Sequence, residues 1–222
     1  MIAIAPSLLA ADFTRLGEEV RSLENSGASM LHLDIMDGNF VPNISFGPDV
    51  VRQLRPVSSL FFDVHLMISN AERYIDRFLE AGADGLTVHI EAVTRPEEVL
   101  KSIRAKGAKA AVSIKPATPP EVLKPLLPWL DMILIMSVEP GFGGQSFLPE
   151  SAEKISAVKK LVQESGSDIL IQVDGGVNMH NIAQVSMAGA DIAVAGTAVF
   201  GQKDRKEAIQ SLQKIANESH SS

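Results

Sequence analysis

Gly82-Ala83-Asp84-Gly85-Leu86-Thr87-Val88-His89 holds, in eight residues, the signal that decides the fold. A helix-ending glycine is followed by a two-residue link and then by an apolar, β-rich run. Glycine just past a helix takes the left-handed conformation that closes the last turn. The same event recurs at Gly27-Ala28-Ser29, Gly107-Ala108-Lys109 and Gly189-Ala190-Asp191, each after a helical segment and before a strand. Working outward, the β-rich runs number eight: Ile2–Pro6, Met30–Asp34, Leu60–Met67, Gly85–His89, Ala108–Ile114, Met132–Met136, Ile169–Asp174 and Ile192–Ala195. They are near-continuously apolar, as parallel strands buried on both faces are. Segments with helical spacing lie between them, among them Asp12–Asn25, Asn70–Ala81, Pro149–Glu164 and Asp204–Glu218. Alternation of this kind implies βαβ units. Eight units in 222 residues predict an α/β chain folded as a single-domain (β/α)8 TIM barrel over 1–222, with 217–222 a frayed tail. An open doubly wound sheet would tend to carry a glycine-rich loop after its first strand, and Ser7-Leu8-Leu9-Ala10 has no glycine.

Composition bounds the partners. Hydrophobic residues make up 45% and charged residues 21%, enough apolar material for a large core. The net charge is −7 and Lys and Arg are scattered, which argues against nucleic acid. A small anion remains possible, because backbone donors can capture a phosphate whatever the net charge. With no cysteine, disulfides, iron–sulfur clusters and thiolate-bound zinc are excluded, and any metal must take nitrogen and oxygen ligands. The N-terminus lacks the basic region of a signal peptide, and no apolar stretch approaches the ~18 residues of a membrane span. The expectation is a cytoplasmic protein without membrane contact. Its apolar helix positions permit a homo-oligomer.

The polar residues at strand ends carry the chemistry, since a barrel of this kind has its site at the C-terminal ends of the strands. His32 and Asp34 lie two apart in Leu31-His32-Leu33-Asp34, so both point to one face, the barrel interior. His65 ends the third run and Asp174 the seventh. Burying such groups is costly unless they pair or bind a metal. Two readings follow: a mutual hydrogen-bond network, or a site for one divalent ion, Zn2+ first, with Fe2+, Mn2+ or Co2+ also suited to the donor set. Asp34 and Asp174 approach the centre from well-separated strands, as a two-base proton transfer needs. Asp63 shares a face with His65 and is placed to orient it. His89 with Glu91 repeats the His-x-carboxylate spacing in a supporting role, and His180 and His220 read as solvated.

Three glycine-rich loops follow late strands: Gly141-Phe142-Gly143-Gly144-Gln145, Gly175-Gly176 and Gly196-Thr197. Phosphate sites in these barrels are typically built by the loops after the seventh and eighth strands. Val138–Phe147 reads as a lid in which Phe142 and Phe147 can cover a ligand. Met36, Met67 and Met136 are either core filler or a soft apolar collar that excludes water.

Several blocks together resemble the ribulose-phosphate 3-epimerase family: Ala5-Pro6-Ser7-Leu8-Leu9-Ala10-Ala11-Asp12, His32-Leu33-Asp34-Ile35-Met36-Asp37-Gly38, Asp63-Val64-His65-Leu66-Met67, Met136 through Phe147, and Val173-Asp174-Gly175-Gly176-Val177. The similarity runs nearly the whole chain. It implies that His32, Asp34, His65 and Asp174 hold a divalent ion, with Asp34 and Asp174 as the acid/base pair. It also implies substrate contacts from Ser7, His65, Gly141, Phe142, Gly143, Gly144, Asp174, Gly175, Gly176, Gly196 and Thr197. Thr197 stands where many relatives carry Ser, and either keeps a small hydroxyl near a phosphate. The implied reaction interconverts ribulose 5-phosphate and xylulose 5-phosphate in the pentose phosphate pathway. A six-carbon ketose phosphate such as allulose 6-phosphate is the alternative substrate. A non-catalytic sugar-phosphate-binding barrel would have no use for two opposed carboxylates on one metal.

Overall fold

A computed structural model describes residues 2–218. All eight β-rich runs are strands: β1 Ala3–Pro6, β2 Met30–Met36, β3 Phe61–Met67, β4 Gly85–His89, β5 Lys109–Ile114, β6 Met132–Met136, β7 Leu170–Asp174 and β8 Ile192–Ala195. They form one sheet in the order β1-β8-β7-β6-β5-β4-β3-β2. Every pairing within it is parallel. A parallel bridge between Ser7 and His32 joins the first strand's end to the second and closes the ring.

Period-two alternation divides the strands into two apolar layers. Outward-facing Leu31, Leu33, Phe62, Val64 and Leu66 merge with helical Val51, Ile75 and Phe78 into the main core. Inward-facing Ala5, Ala111, Met132, Ile192 and Val194 form a separate cluster inside the barrel. Leu31, Leu33, Phe62 and Val64 are 0% exposed, and burial of each contributes roughly 1.5–3 kcal/mol. That layer fixes the register of the site, because a one-residue slip would turn His32 and Asp34 outward among the helices.

The helices are α1 Leu16–Arg21, α2 Pro48–Leu54, α3 Ile75–Glu80, α4 Pro96–Ala105, α5 Ser151–Ser165, α6 Ile182–Met187, α7 Thr197–Phe200 and α8 Arg205–Glu218. Several are shorter than their sequence pattern. The Asp12–Asn25 segment breaks into a 3-10 turn at Phe13–Arg15 and six α-helical residues. Asp12 caps the turn by accepting from Thr14 N–H at 3.0 Å. Past α1, Ser22 and Ser26 donate to the carbonyls three residues back, which offers the backbone an alternative to the helix. Asn70–Ala81 begins with Asn70 at φ +55 and a 3-10 turn before α3. Between β5 and β6 the crossover is a 3-10 helix, Pro120–Trp129, because Pro125 and Pro128 lack the N–H an α-helix requires.

The helix-ending glycine is as the sequence predicts. Gly82 has φ +102. Its N–H bonds Leu79 O at 3.0 Å, and Ala83 N–H bonds Phe78 O at 3.0 Å. Of the tail expected to fray, Asn217 and Glu218 lie at the end of α8, which buries Ile209, Leu212 and Ala216. Residues 219–222, including His220, lie outside the described residues. Among those described, no helix is long and apolar enough to cross a membrane.

Candidate active site

Strand pairing assembles the polar cluster. Across β2 and β3, His32 is the partner of Asp63, and Asp34 of His65. Partners at one level face the same way, so His32 Nδ1 lies 2.7 Å from Asp63 Oδ2. Asp63 therefore orients His32, not His65 as its position in the strand suggests. Gln172 Nε2, from β7, donates to the same Asp63 oxygen at 2.6 Å. His65 is oriented by His89, with the two Nε2 atoms 2.9 Å apart, and His89 Nδ1 is 3.2 Å from Glu91 Oε2.

The inner atoms of His32, Asp34, His65 and Asp174 converge, all within 4.8 Å of one another. His32 Nε2 is 3.2 Å from Asp34 Oδ1, 3.3 Å from His65 Nδ1 and 3.9 Å from Asp174 Oδ2. His65 Nδ1 is 3.3 Å from Asp34 Oδ1 and 3.8 Å from Asp174 Oδ2. Ligands held ~2.0–2.2 Å from one ion in tetrahedral array lie about 3.3–3.6 Å apart, so the spacing suits a metal. The donor inventory says the same. With Asp63 on its Nδ1, His32 turns Nε2 inward, towards two carboxylates and a second imidazole, and offers a lone pair there whenever it is neutral. Two imidazole nitrogens and two carboxylates facing one another need protons or a cation among them, and the cluster could hold a metal ion.

Charge is distributed unevenly over this cluster. Burial opposes the charge on His32, but Asp34 and Asp63 hold its pKa well above the ordinary imidazole value. Burial likewise opposes ionisation of Asp34, yet His32, and hydrogen bonds from His32 and His65, hold it well below the usual carboxylate range. Asp174 goes the other way: burial, and then the charge of Asp34, push it up to about 7. Burial lowers His65 to about 4. Two carboxylates with pKa values driven apart can act as base and acid in one turnover.

Above the cluster opens a cavity of about 560 Å³. Ser7, Asp34, Asp174, Gly141, Phe142, Gly143, Gly144, Gly175, Gly176, Gly196 and Thr197 all line it. His32 and His65 do not line it; they are 0% exposed, and both nitrogens of His65 face other side chains. Ser7 Oγ donates to Asp34 Oδ2 at 2.6 Å, leaving Oδ1 to the cluster. Met36, Met67 and Met136 line the wall and are at most 4% exposed, packed in small apolar clusters with Val41, Leu134 and Val138, a placement that both readings allow. The lid segment is tied down by Gln145 Nε2, which donates to Glu139 O at 2.7 Å and Phe142 O at 3.0 Å, and by Asn43 Nδ2, which donates to Gly141 O at 2.9 Å. Of its two aromatic residues, Phe142 stands 54% exposed at the rim while Phe147 packs against the main core. His180 is exposed.

Sequence reasoning assigned no site role to Leu9, Ala10, Asn178 and Val194, which also line the cavity, or to Gln172 beneath it. Gln172 had a signal: it precedes Asp174 by two and shares its face.

Comparison with known proteins places this geometry. The family model described as the ribulose-phosphate 3 epimerase family matches residues 3–200. The ribulose-phosphate 3-epimerase of Bacillus subtilis is 48% identical over 213 residues, covering 96% of this chain and 98% of its own. That of Escherichia coli is 44% identical over 219 residues, covering 98% and 97%. Among solved structures, KGPDC from Streptococcus mutans aligns with TM-score 0.72 at 13% identity, covering 98% of each chain. Orotidine 5'-phosphate decarboxylase from Pyrococcus horikoshii aligns at 0.69 and 15% identity, covering 96% of this chain and 99% of its own. These distant likenesses concern the barrel alone. Both the match along the chain and the relatives' identity go further: this chain is an isomerase of the ribulose-phosphate 3-epimerase family.

Proposed function

We propose that the protein interconverts D-ribulose 5-phosphate and D-xylulose 5-phosphate by moving a proton at C3, with Asp34 and Asp174 serving opposite faces of that carbon. The observation that carries this is the pair itself: both carboxylates line one cavity, and they reach it from β2 and β7, which stand three strands apart around the ring. Ionised Asp34, steadied by Ser7, removes a proton from one face. Protonated Asp174 returns one to the other face, and the roles exchange in the reverse direction. When bound at His32, Asp34, His65 and Asp174, a divalent ion supplies positive charge beside the substrate oxygens that gain charge as the proton leaves; zinc is our first choice, and Fe2+, Mn2+ or Co2+ suit the same donors. Met36, Met67 and Met136 keep water from the carbanion-like carbon. The phosphate in this reading meets backbone donors around Gly176, Gly196 and Thr197, which line the same cavity.

The test separates exchange from inversion. Asp34→Asn and Asp174→Asn should each stop net epimerisation while keeping one base. In heavy water, one variant should slowly carry deuterium into C3 of ribulose 5-phosphate without forming xylulose 5-phosphate. The other should do so only with xylulose 5-phosphate. Bound metal is measured in each variant first, since both residues are ligands in this reading. A metal-loaded variant that epimerises near the parent rate would refute the role of that carboxylate.

A further inference from the structure

Leading away from the cluster is a chain of side chains with a defined hydrogen-bond polarity. Glu91 Oε1 accepts from Lys115 N–H at 2.8 Å and from the Thr118 hydroxyl. Its other oxygen, Oε2, faces His89 Nδ1 at 3.2 Å, and His89 Nε2 faces His65 Nε2 at 2.9 Å. An ionised carboxylate only accepts, so His89 carries its proton on Nδ1 and presents a lone pair at Nε2. His65 must then donate through Nε2, which leaves its Nδ1 as the lone pair aimed at Asp34, His32 and Asp174. Neither imidazole has solvent as an alternative partner, because both are 0% exposed. The outer end is fixed as well: Lys154 Nζ donates to Lys115 O at 2.9 Å and Thr118 O at 2.8 Å, so the loop cannot turn its N–H away from Glu91.

We propose that Glu91 is a positioning residue that sets the tautomer of His65 through His89, so that Nδ1 of His65 is ready as a metal ligand before an ion arrives. The inference rests on the metal-site reading above, but it concerns two residues that touch neither substrate nor ion. It makes the two imidazole ligands parallel in design: Asp63 fixes His32 directly, and Glu91 fixes His65 at one remove. Outer partners of this kind typically change metal affinity by about 10–100-fold when removed.

Counting donors gives a sharp test. In Glu91→Gln the new side chain is the same size, and its single oxygen is called to the Oε1 position, where both Lys115 N–H and the Thr118 hydroxyl donate. The amide NH2 then points at His89 Nδ1, forcing that proton to Nε2, where it meets the Nε2–H of His65. Relief requires His65 to move its proton to Nδ1, which blocks the ligand. His89→Gln keeps the polarity instead, with its NH2 toward Glu91 and its oxygen toward His65. Zinc affinity, read by competition with a chromophoric chelator, should fall about 10–100-fold in Glu91→Gln and stay within about threefold of the parent in His89→Gln. Nitrogen-15 spectra of the metal-free proteins should place the His65 proton on Nε2 in the parent and in His89→Gln, and on Nδ1 in Glu91→Gln.

A residue that merely anchored the β5 loop would leave Glu91→Gln parent-like, since that variant preserves the Lys115 bond. Parent-like zinc binding by Glu91→Gln, or a His65 proton that stays on Nε2 in that variant, overturns the proposal. A parent that binds no divalent ion would overturn the metal reading instead, and the spectra would still decide whether Glu91 governs His65.

Discussion

Gly176→Ala isolates what the glycine after β7 does. Gly176 has φ +66, a region that costs an L-residue roughly 1–2 kcal/mol. A Cβ there would lie 2.4 Å from Phe147 N, 2.6 Å from Gln145 O and 2.9 Å from Ser146 C, all backbone atoms of the segment that returns from the lid. Carbon contacts settle at about 3.5–4.0 Å, so the segment must retreat by about 1 Å. Gly176 cannot retreat in its place, because Asn178 Nδ2 and Asn181 Nδ2 both hold its carbonyl, at 3.0 and 2.9 Å. Overpacking of this kind costs about 1–3 kcal/mol, giving a total loss of about 2–5 kcal/mol with the backbone strain. Gly144→Ala is the matched control: φ is +74 and nothing lies within 4 Å of its Cβ, so only the roughly 1–2 kcal/mol of strain applies. Equilibrium urea unfolding of both variants gives the difference. KM for the sugar phosphate should rise in Gly176→Ala, because Gln145 and Ser146 of the displaced segment line the cavity. If the two variants lose the same stability, the backbone contact at Gly176 is not what requires glycine there.

Two further outcomes follow from the cluster. Gln172→Leu removes the donor from Asp63 Oδ2 in a buried setting and should lower stability by about 1–3 kcal/mol; an unchanged urea midpoint would contradict the bond's importance. The second outcome concerns pH in metal-free protein. With its folded pKa raised to about 7, Asp174 keeps a proton that the unfolded chain, with an ordinary value of 3.8, has released, so its contribution to stability is lost as pH rises from about 4 to 7. Asp174→Asn should therefore gain on the parent as pH rises through that window, read as diverging urea midpoints in the presence of chelator, and a constant gap would contradict the shift.

The strands were readable because a parallel barrel buries both faces, which writes each strand as an unbroken apolar run such as Met132–Met136. The helices were less so. Helical spacing survives in a 3-10 turn, and only local competitors such as Asp12, Ser22 and the prolines of 120–129 decide where α-helix stops. The four cluster residues were legible for a chemical reason: His and Asp are costly in apolar strands, so their presence at strand ends already asks for a partner or an ion.

What misled the sequence reading was distance. Residues two apart on a strand share a face but stand about 6.6 Å apart, whereas adjacent strands run only about 4.8 Å apart. The nearest same-face neighbour of a barrel residue is therefore on the next strand, not two places along its own. Asp63 precedes His65 by two and was expected to serve it, but its register partner is His32, and that is the ring it holds. His65 is then left to β4, where His89 supplies the contact. Gln172 closes the set from β7, reaching Asp63 across the interior. Strand periodicity gives each residue its face, and so the membership of the cluster. Which group orients which imidazole depends on pairing register and on the diameter of the closed barrel, and both belong to the ring as a whole rather than to any one segment.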